Sequence, residues 1–226
     1  MELMVVIAIM VALMGIGIPS LYAIFDIEQR SAARELALTY RFLLNEASLR
    51  NVTFRIAYDL DAGTYQVQVG DPRTLIFGTP EERAAYEEQR ERELRRFTQR
   101  QIAEGEGPAE DPSDRFANLP SEGFDTTVDL PTGSRFAWVW TPQYGEAQVP
   151  SEEAPEDASE NHVVYTYVFA SGEAEHAAIR IVSAGDPEDG YSVEVEPLTG
   201  QVTVTSDLID PTESMAWLPR EGPTFQ

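Results

Sequence analysis

From Leu3 to Phe25 the chain runs for 23 residues without a charge. At a helical rise of about 1.5 Å per residue this run reaches roughly 35 Å, slightly more than a hydrocarbon core of about 30 Å. A buried core helix would show a polar face, and Val5, Val6, Ile7, Ile9, Met10, Val11, Leu13 and Met14 leave none. A secretory signal peptide would show a basic leader, a shorter apolar core and a small-residue cleavage site, and none of these frames the run. The spacing therefore predicts a membrane-spanning helix over residues 1–25, with Glu2 standing at its mouth.

Gly15, Gly17, Pro19 and Ser20 fall together two-thirds of the way along the run. Pro19 removes a backbone donor and clashes with the preceding turn, so a kink or local melting is expected near residues 15–19. Beyond Phe25 a helical pattern continues over residues 26–51. Ile27, Leu36, Tyr40, Leu43 and Ala47 form the expected apolar stripe, and Glu28, Arg30, Arg34, Glu35, Arg41 and Glu46 take other faces. Asn51 is the expected stop. One helix of about 50 residues would thus leave the bilayer and lie on a soluble domain.

Charge bears on both orientation and partners. The positive charges nearest the run, Arg30, Arg34 and Arg41, follow it, and by themselves they would hold the soluble domain in the cytoplasm. A basic leader upstream of Met1 reverses this, so the expectation is that the natural precursor begins earlier. With 16 basic against 39 acidic side chains the net charge is −23, which repels polyanions, and nucleic acid is not expected as a partner. Cysteine is absent, which excludes disulfides and thiolate chemistry.

From residue 52 to 226 the sequence predicts a β-rich domain. Val52, Phe54, Ile56 and Tyr58 alternate with smaller or polar residues, Asp61-Ala62-Gly63 turns the chain, and Tyr65, Val67 and Val69 resume the alternation. Further strands are expected at 124–130, 135–141, 163–170, 177–182, 191–196 and 202–205, giving an antiparallel sheet packed on the helix and an α+β fold. Two acidic insertions interrupt it. Residues 79–114 carry Glu88 with Arg92 and Glu91 with Arg95 at helical spacing, and predict a solvated helix tailing into an acidic segment anchored only by Tyr86, Leu94, Phe97 and Ile102. Residues 151–161 read as an exposed loop.

Catalytic and metal chemistry finds little support. His162 and His176 are the only imidazoles, and no spacing supplies either with partners for a metal site or a catalytic triad. Asp59 to Gly63 lacks the remaining ligands of a calcium loop and sits where a hairpin must turn. The stretch Asp186 to Gly190 is ordinary turn vocabulary. No enzyme activity, cofactor or metal is expected.

The segment MELMVVIAIMVALMGIGIPSLYAIF resembles the N-terminus of type IV pilins and type II secretion pseudopilins. Glu2 falls on that family's glutamate and Pro19 on its helix-kinking proline. RSAARELALTYRFLLNEASLRNVTFRIAYDLDAGTYQV resembles the helix and first hairpin of the minor pseudopilin H (GspH/FimT) family, and YSVEVEPLTGQVTV resembles its closing hairpin, with Leu198-Thr199-Gly200 at the turn. The resemblance covers residues 1–69 and about 163–205, and the acidic middle departs from it.

The resemblance implies a pilin-like fold and a minor pseudopilin of a type II secretion system. It implies a single-pass protein of the inner membrane with its C-terminal domain in the periplasm, helping to export folded proteins through the outer membrane. Its partners would be the other minor pseudopilins, the major pseudopilin, the assembly platform of the inner membrane, membrane lipid and the secreted substrate. A prepilin peptidase would act at a Gly-Phe junction preceding these residues, and methylation of the new terminus is implied as well. Glu2 would meet the terminal amine of a neighbouring subunit, while Gly15, Gly17 and Pro19 would form the kink. A lone carboxylate at mid-bilayer costs about 2.5 to 3.5 kcal/mol, so a cation beside it favours the assembled state. The alternative is a minor type IV pilin serving pilus assembly, adhesion or DNA uptake. A membrane-tethered sensor or enzyme would require a convergent polar pocket in the soluble domain.

Overall fold

In the computed structural model, residues 27–95, 115–119, 126–152, 155, 157 and 161–210 are described. Glu2, the apolar run, the Gly15, Gly17 and Pro19 kink, Phe97, Ile102 and the acidic tail of the first insertion lie outside the described residues. Among the described residues no helix is long and apolar enough to cross a membrane.

Helix α1, described over residues 27–50, turns one face to the core. Leu36, Tyr40, Leu43 and Ala47 are fully buried, and Ala32, Ala33 and Ala37 bring the helix close to what it packs on. Ile27 departs from the expected stripe. It stands nine residues before Leu36, two and a half turns away, and so points to the opposite side. The helix ends where expected: Asn51 takes φ 53, a left-handed conformation that asparagine tolerates. The Val52 amide then reaches back to the Ala47 carbonyl at 3.2 Å, closing the terminus.

Among the described residues nine strands form two antiparallel sheets. The first joins β1 (Thr53–Asp59), β2 (Thr64–Gly70), β3 (Phe116–Asn118), β4 (Thr127–Asp129) and β6 (Val163–Val168). Its order is β3-β2-β1-β6, with β4 also pairing along β2. The second runs β5 (Ser134–Trp140), β7 (Ala177–Ser183), β8 (Gly190–Val195) and β9 (Val202–Thr205) in the order β5-β7-β8-β9. The strands expected from alternation at 135–141, 163–170, 177–182, 191–196 and 202–205 are present to within two residues at each end. Strand β3 carries too few residues for a period to register.

The inner faces of both sheets and the buried face of α1 share one core. Phe54, Ile56, Tyr58, Tyr65 and Val67 come from the first sheet, and Phe136, Ile179, Ile181, Val193 and Val195 from the second. Tyr58 meets Phe136 edge-on at 5.6 Å between ring centroids, which joins the sheets directly. A register shift between Phe136 and Trp138 lets both Phe136 and Val139 face inward, three residues apart, where regular alternation would set them on opposite faces. Arg41 reaches from α1 to the Val202 carbonyl at 3.1 Å, tying the helix to β9.

The β1–β2 turn uses Gly63 at φ 68, with its amide bonded to the Asp59 carbonyl at 3.0 Å. Helix α2 (Pro80–Leu94) belongs to the first acidic insertion and buries none of its residues. Thr79 caps it by accepting from the Glu82 amide at 3.3 Å, and the Glu82 carboxylate accepts from Gly78 at 2.9 Å. The expected pairs Glu88–Arg92 and Glu91–Arg95 form at 3.4 and 3.1 Å, joined by Arg83–Glu87 at 3.1 Å. Each contributes only a few tenths of a kcal/mol, roughly 0.3 to 0.5.

Candidate assembly surface

The face of α1 turned away from both sheets carries large apolar side chains. Ile27 is 66% exposed, Leu38 62%, Phe42 38% and Leu49 80%. At 3.6 residues per turn these four fall within a sector of about 60°, a stripe running the described length of the helix. Asn45 falls within that sector and Arg34 at its edge, both exposed. A helix that turns one face into a core and holds a second apolar stripe toward solvent has the pattern of an interaction element. The sequence contained this signal in the spacings of four and seven from Leu38 to Phe42 to Leu49. Following the single stripe of Leu36, Tyr40, Leu43 and Ala47 hid it, because the core stripe alone accounts for a helix.

The buried face is held by polar contacts as well as packing. Tyr40 Oη lies 2.9 Å from Tyr58 Oη and 2.6 Å from Thr166 Oγ1, and Thr39 Oγ1 is 3.4 Å from Tyr65 Oη. Such directional bonds set the rotation of α1 about its axis, which apolar packing alone specifies less sharply. The rotation in turn decides which residues make the outer stripe. At the far end of α1, Gly200 in the β8–β9 turn sits against Leu44, where a Cβ would come within 3.0 Å of the leucine.

The residues considered for catalysis or metal binding are dispersed and committed to other contacts. His162 Nδ1 is 2.8 Å from the Val149 carbonyl. His176 stacks edge-on against Trp140 at 5.2 Å and approaches Glu194 at 3.5 Å. Asp59 accepts from Ala62 and Asn161 at 2.8 and 2.7 Å. Asp61 accepts from the Ser151 amide and hydroxyl at 2.6 and 3.0 Å and from the His162 amide at 2.7 Å. Both carboxylates therefore fasten the two ends of the second acidic insertion to the hairpin turn. That insertion is exposed at Ser151 and Glu152 as expected, but its base is pinned. Among the described residues no three His, Asp or Glu side chains gather into a group able to hold a metal.

Arg180 and Glu175 are buried elsewhere in the fold. Arg180, in the middle of β7, donates to Ser192 Oγ and to the carbonyls of Ser206, Asp207 and Glu188 at 2.8 to 3.3 Å, so it staples the chain after β9 to the second sheet. Glu175 is closed off from solvent between β6 and β7, where burial pushes its carboxyl up to about 8 against the hydrogen bonds it accepts. Gln143 Nε2 bonds both of its oxygens, at 3.2 and 3.1 Å.

No family model matches the chain, and no curated protein sequence matches it. Solved structures of similar fold include the minor pseudopilin EpsH from the type 2 secretion system of Vibrio cholerae. That structure superposes with a TM-score of 0.50 at 13% identity, over 81% of this chain and 99% of EpsH. A second EpsH crystal structure aligns at 0.48 and 14%, over 82% and 98%. The likeness is one of fold: a pilin-like α+β arrangement of one helix packed on antiparallel sheets.

Proposed function

We propose that this chain is a minor pseudopilin, a structural subunit of a type II secretion pseudopilus. In this reading residues 1–25 anchor it in the inner membrane and the β-rich domain occupies the periplasm. The outer stripe of α1, Ile27, Leu38, Phe42 and Leu49, carries the assignment, because it exposes apolar surface on the element that continues the membrane-length run. In the filament this stripe packs on the helices of neighbouring subunits, including the major pseudopilin. Glu2 pairs there with a neighbour's terminal amine, and Gly15, Gly17 and Pro19 let the upper part of the helix yield as the subunit leaves the bilayer. The chain supplies surface and geometry to export, and its chemistry is that of assembly. The EpsH fold supports the reading at the level of architecture.

Cysteine crosslinking in cells tests it. Single cysteines placed along the stripe should crosslink to the neighbouring pseudopilins, and Leu49→Glu or Glu2→Leu should abolish the crosslinks and reduce secretion while membrane insertion persists. Normal crosslinking and normal secretion in both variants would overturn the proposal. A strain lacking the chain that secretes normally but fails to build surface pili would move the assignment to a minor type IV pilin.

A further inference from the structure

The outer face of the first sheet holds a cation that meets no anion among the described residues. Arg55 stands in the middle of β1, in one cross-strand row with Gln68 on β2 and Tyr167 on β6. It is only 8% exposed. Its guanidinium carbon lies 4.3 Å from the ring centroids of both Phe116 and Tyr165, so the planar group sits between two aromatic faces. Its Nε donates to Gln68 Oε1 at 2.5 Å. These partners are neutral, and no ion pair among the described residues reaches it. Arg180 is the useful contrast, since its buried guanidinium is met by three backbone carbonyls and a hydroxyl. Arg55 has no such cage, and a buried charge without an anion is costly to keep.

Arg55 opens onto a cleft of about 550 Å³ between this sheet face and α2. Pockets of about 300 to 1,000 Å³ are those that enclose specific small ligands and side chains. The sheet supplies Arg55 and Tyr165 to the cleft, and α2 supplies Arg83, Tyr86 and Arg90. Glu87 and Glu91 line it as well, with Glu87 paired to Arg83 and Glu91 to Arg95. Helix α2 buries none of its residues fully, and it rests on the cleft wall through Tyr86, whose ring centroid lies 5.1 Å from that of Phe77. Three arginines against two glutamates beside aromatic walls give the lining a small positive excess, a local exception in a chain of net charge −23.

We propose that this cleft binds a short acidic peptide segment of a partner protein, one carboxylate pairing with Arg55 and a flanking aromatic side chain lying against Tyr86 and Tyr165. The guanidinium fork matches a carboxylate edge-on while its faces stay stacked on the rings. The aromatic walls select a segment that mixes acid with ring. A long polyanion meets the repulsion of the whole chain, whereas a few charges held at short range answer chiefly to the local arginines. The site goes beyond assembly through α1 and does not depend on it, because the cleft and the stripe share no residue.

The test uses the full chain in lipid nanodiscs and fluorescence polarisation of a fluorescein-labelled, end-capped pentapeptide, Glu-Tyr-Glu-Phe-Glu. The peptide should bind saturably, and its all-glutamine counterpart should bind at least about tenfold more weakly. Arg55→Gln should lose at least about tenfold in affinity with an unchanged near-UV spectrum. Should that variant fail to fold, Arg90→Gln and Tyr86→Ala, both half-buried on α2, carry the test and should each weaken binding several-fold. Amide exchange across residues 80–94 should slow when the peptide is added. The proposal is overturned by absence of binding, by equal affinity for the glutamine peptide, by unchanged affinity in both α2 variants, or by glutarate binding as tightly as the peptide.

Discussion

The hydroxyl of Tyr40 lies 2.9 Å from the hydroxyl of Tyr58, and both rings are completely buried between α1 and the first sheet. Thr166 closes the group at 2.6 Å from Tyr40. Burial pushes both phenols well above their ordinary range, so they act as neutral hydrogen-bonding groups across the working pH range. The group joins the helix to β1 and β6 at one point, and with them the orientation of the exposed stripe.

Removing the Tyr40 hydroxyl leaves two buried groups short of a partner. Tyr40→Phe should cost about 1 to 3 kcal/mol in urea unfolding. The double variant Tyr40→Phe with Tyr58→Phe should cost less than the sum of the single variants, since the second change removes a group already orphaned. Strict additivity would show that the two hydroxyls are not coupled.

Glu175 makes stability depend on pH in the direction opposite to an exposed acid. Its carboxyl is raised from 4.5 to about 8 in the folded chain, chiefly by burial, so the fold favours the protonated form. That contribution is fully present below the unfolded value and is lost as pH rises through the folded one. The chain should therefore be less stable at pH 8 than at pH 5, and Glu175→Gln should be the more stable protein at pH 8 with a flatter profile between. Thermal unfolding of both proteins across this range checks it. At about 1.4 kcal/mol per unit the effect should be easily measured.

Asp61 behaves in the ordinary sense. Burial would raise its carboxyl, but hydrogen bonds from His162 and from the Ser151 amide and hydroxyl outweigh this and hold it below its usual value. The fastening should persist above the unfolded value near 3.8 and weaken as pH falls through the lowered folded value. Asp61→Ala should release the base of the second acidic insertion and speed limited proteolysis within residues 151–161, with little change at the β1–β2 hairpin.

Gly70 leaves room for Phe116. A Cβ there would come within 2.7 Å of the Phe116 ring, and within 3.1 Å of the Arg115 carbonyl. Gly70→Ala should push the ring off the Arg55 guanidinium and expose the cation. Faster chemical modification of Arg55 by phenylglyoxal, measured by peptide mass, is the expected result. An unchanged rate would mean that the stacking survives the shift.

Legibility in the sequence followed periodicity and turn chemistry. The end of α1 at Asn51, the hairpin at Asp59 to Gly63 and the strand Val202–Thr205 were readable because each depends on neighbours along the chain. The strands TFRIAYD and AAIRIVS, buried along all but their last residue, carry Arg55 and Arg180 within them, and alternation alone reads such residues as solvent-facing. In the fold both are covered, one by rings and one by carbonyls. Neither cover is visible along the chain, because Phe116 and Tyr165 lie 61 and 110 positions from Arg55 in the sequence.

The amino-acid order by itself determined the elements seen among the described residues: the helix that ends at Asn51, the antiparallel strands, and the solvated helix of the first acidic insertion. These follow from local periods, from the backbone limits of Gly, Pro and Asn, and from charge spacing. Only the tertiary structure decided that the strands split into two sheets around one helix face. It also decided which apolar residues of that helix stay outside and that Arg55 is buried beside a cleft. Those outcomes depend on the pairing of distant strands, and burial belongs to the whole packed core rather than to any residue within it.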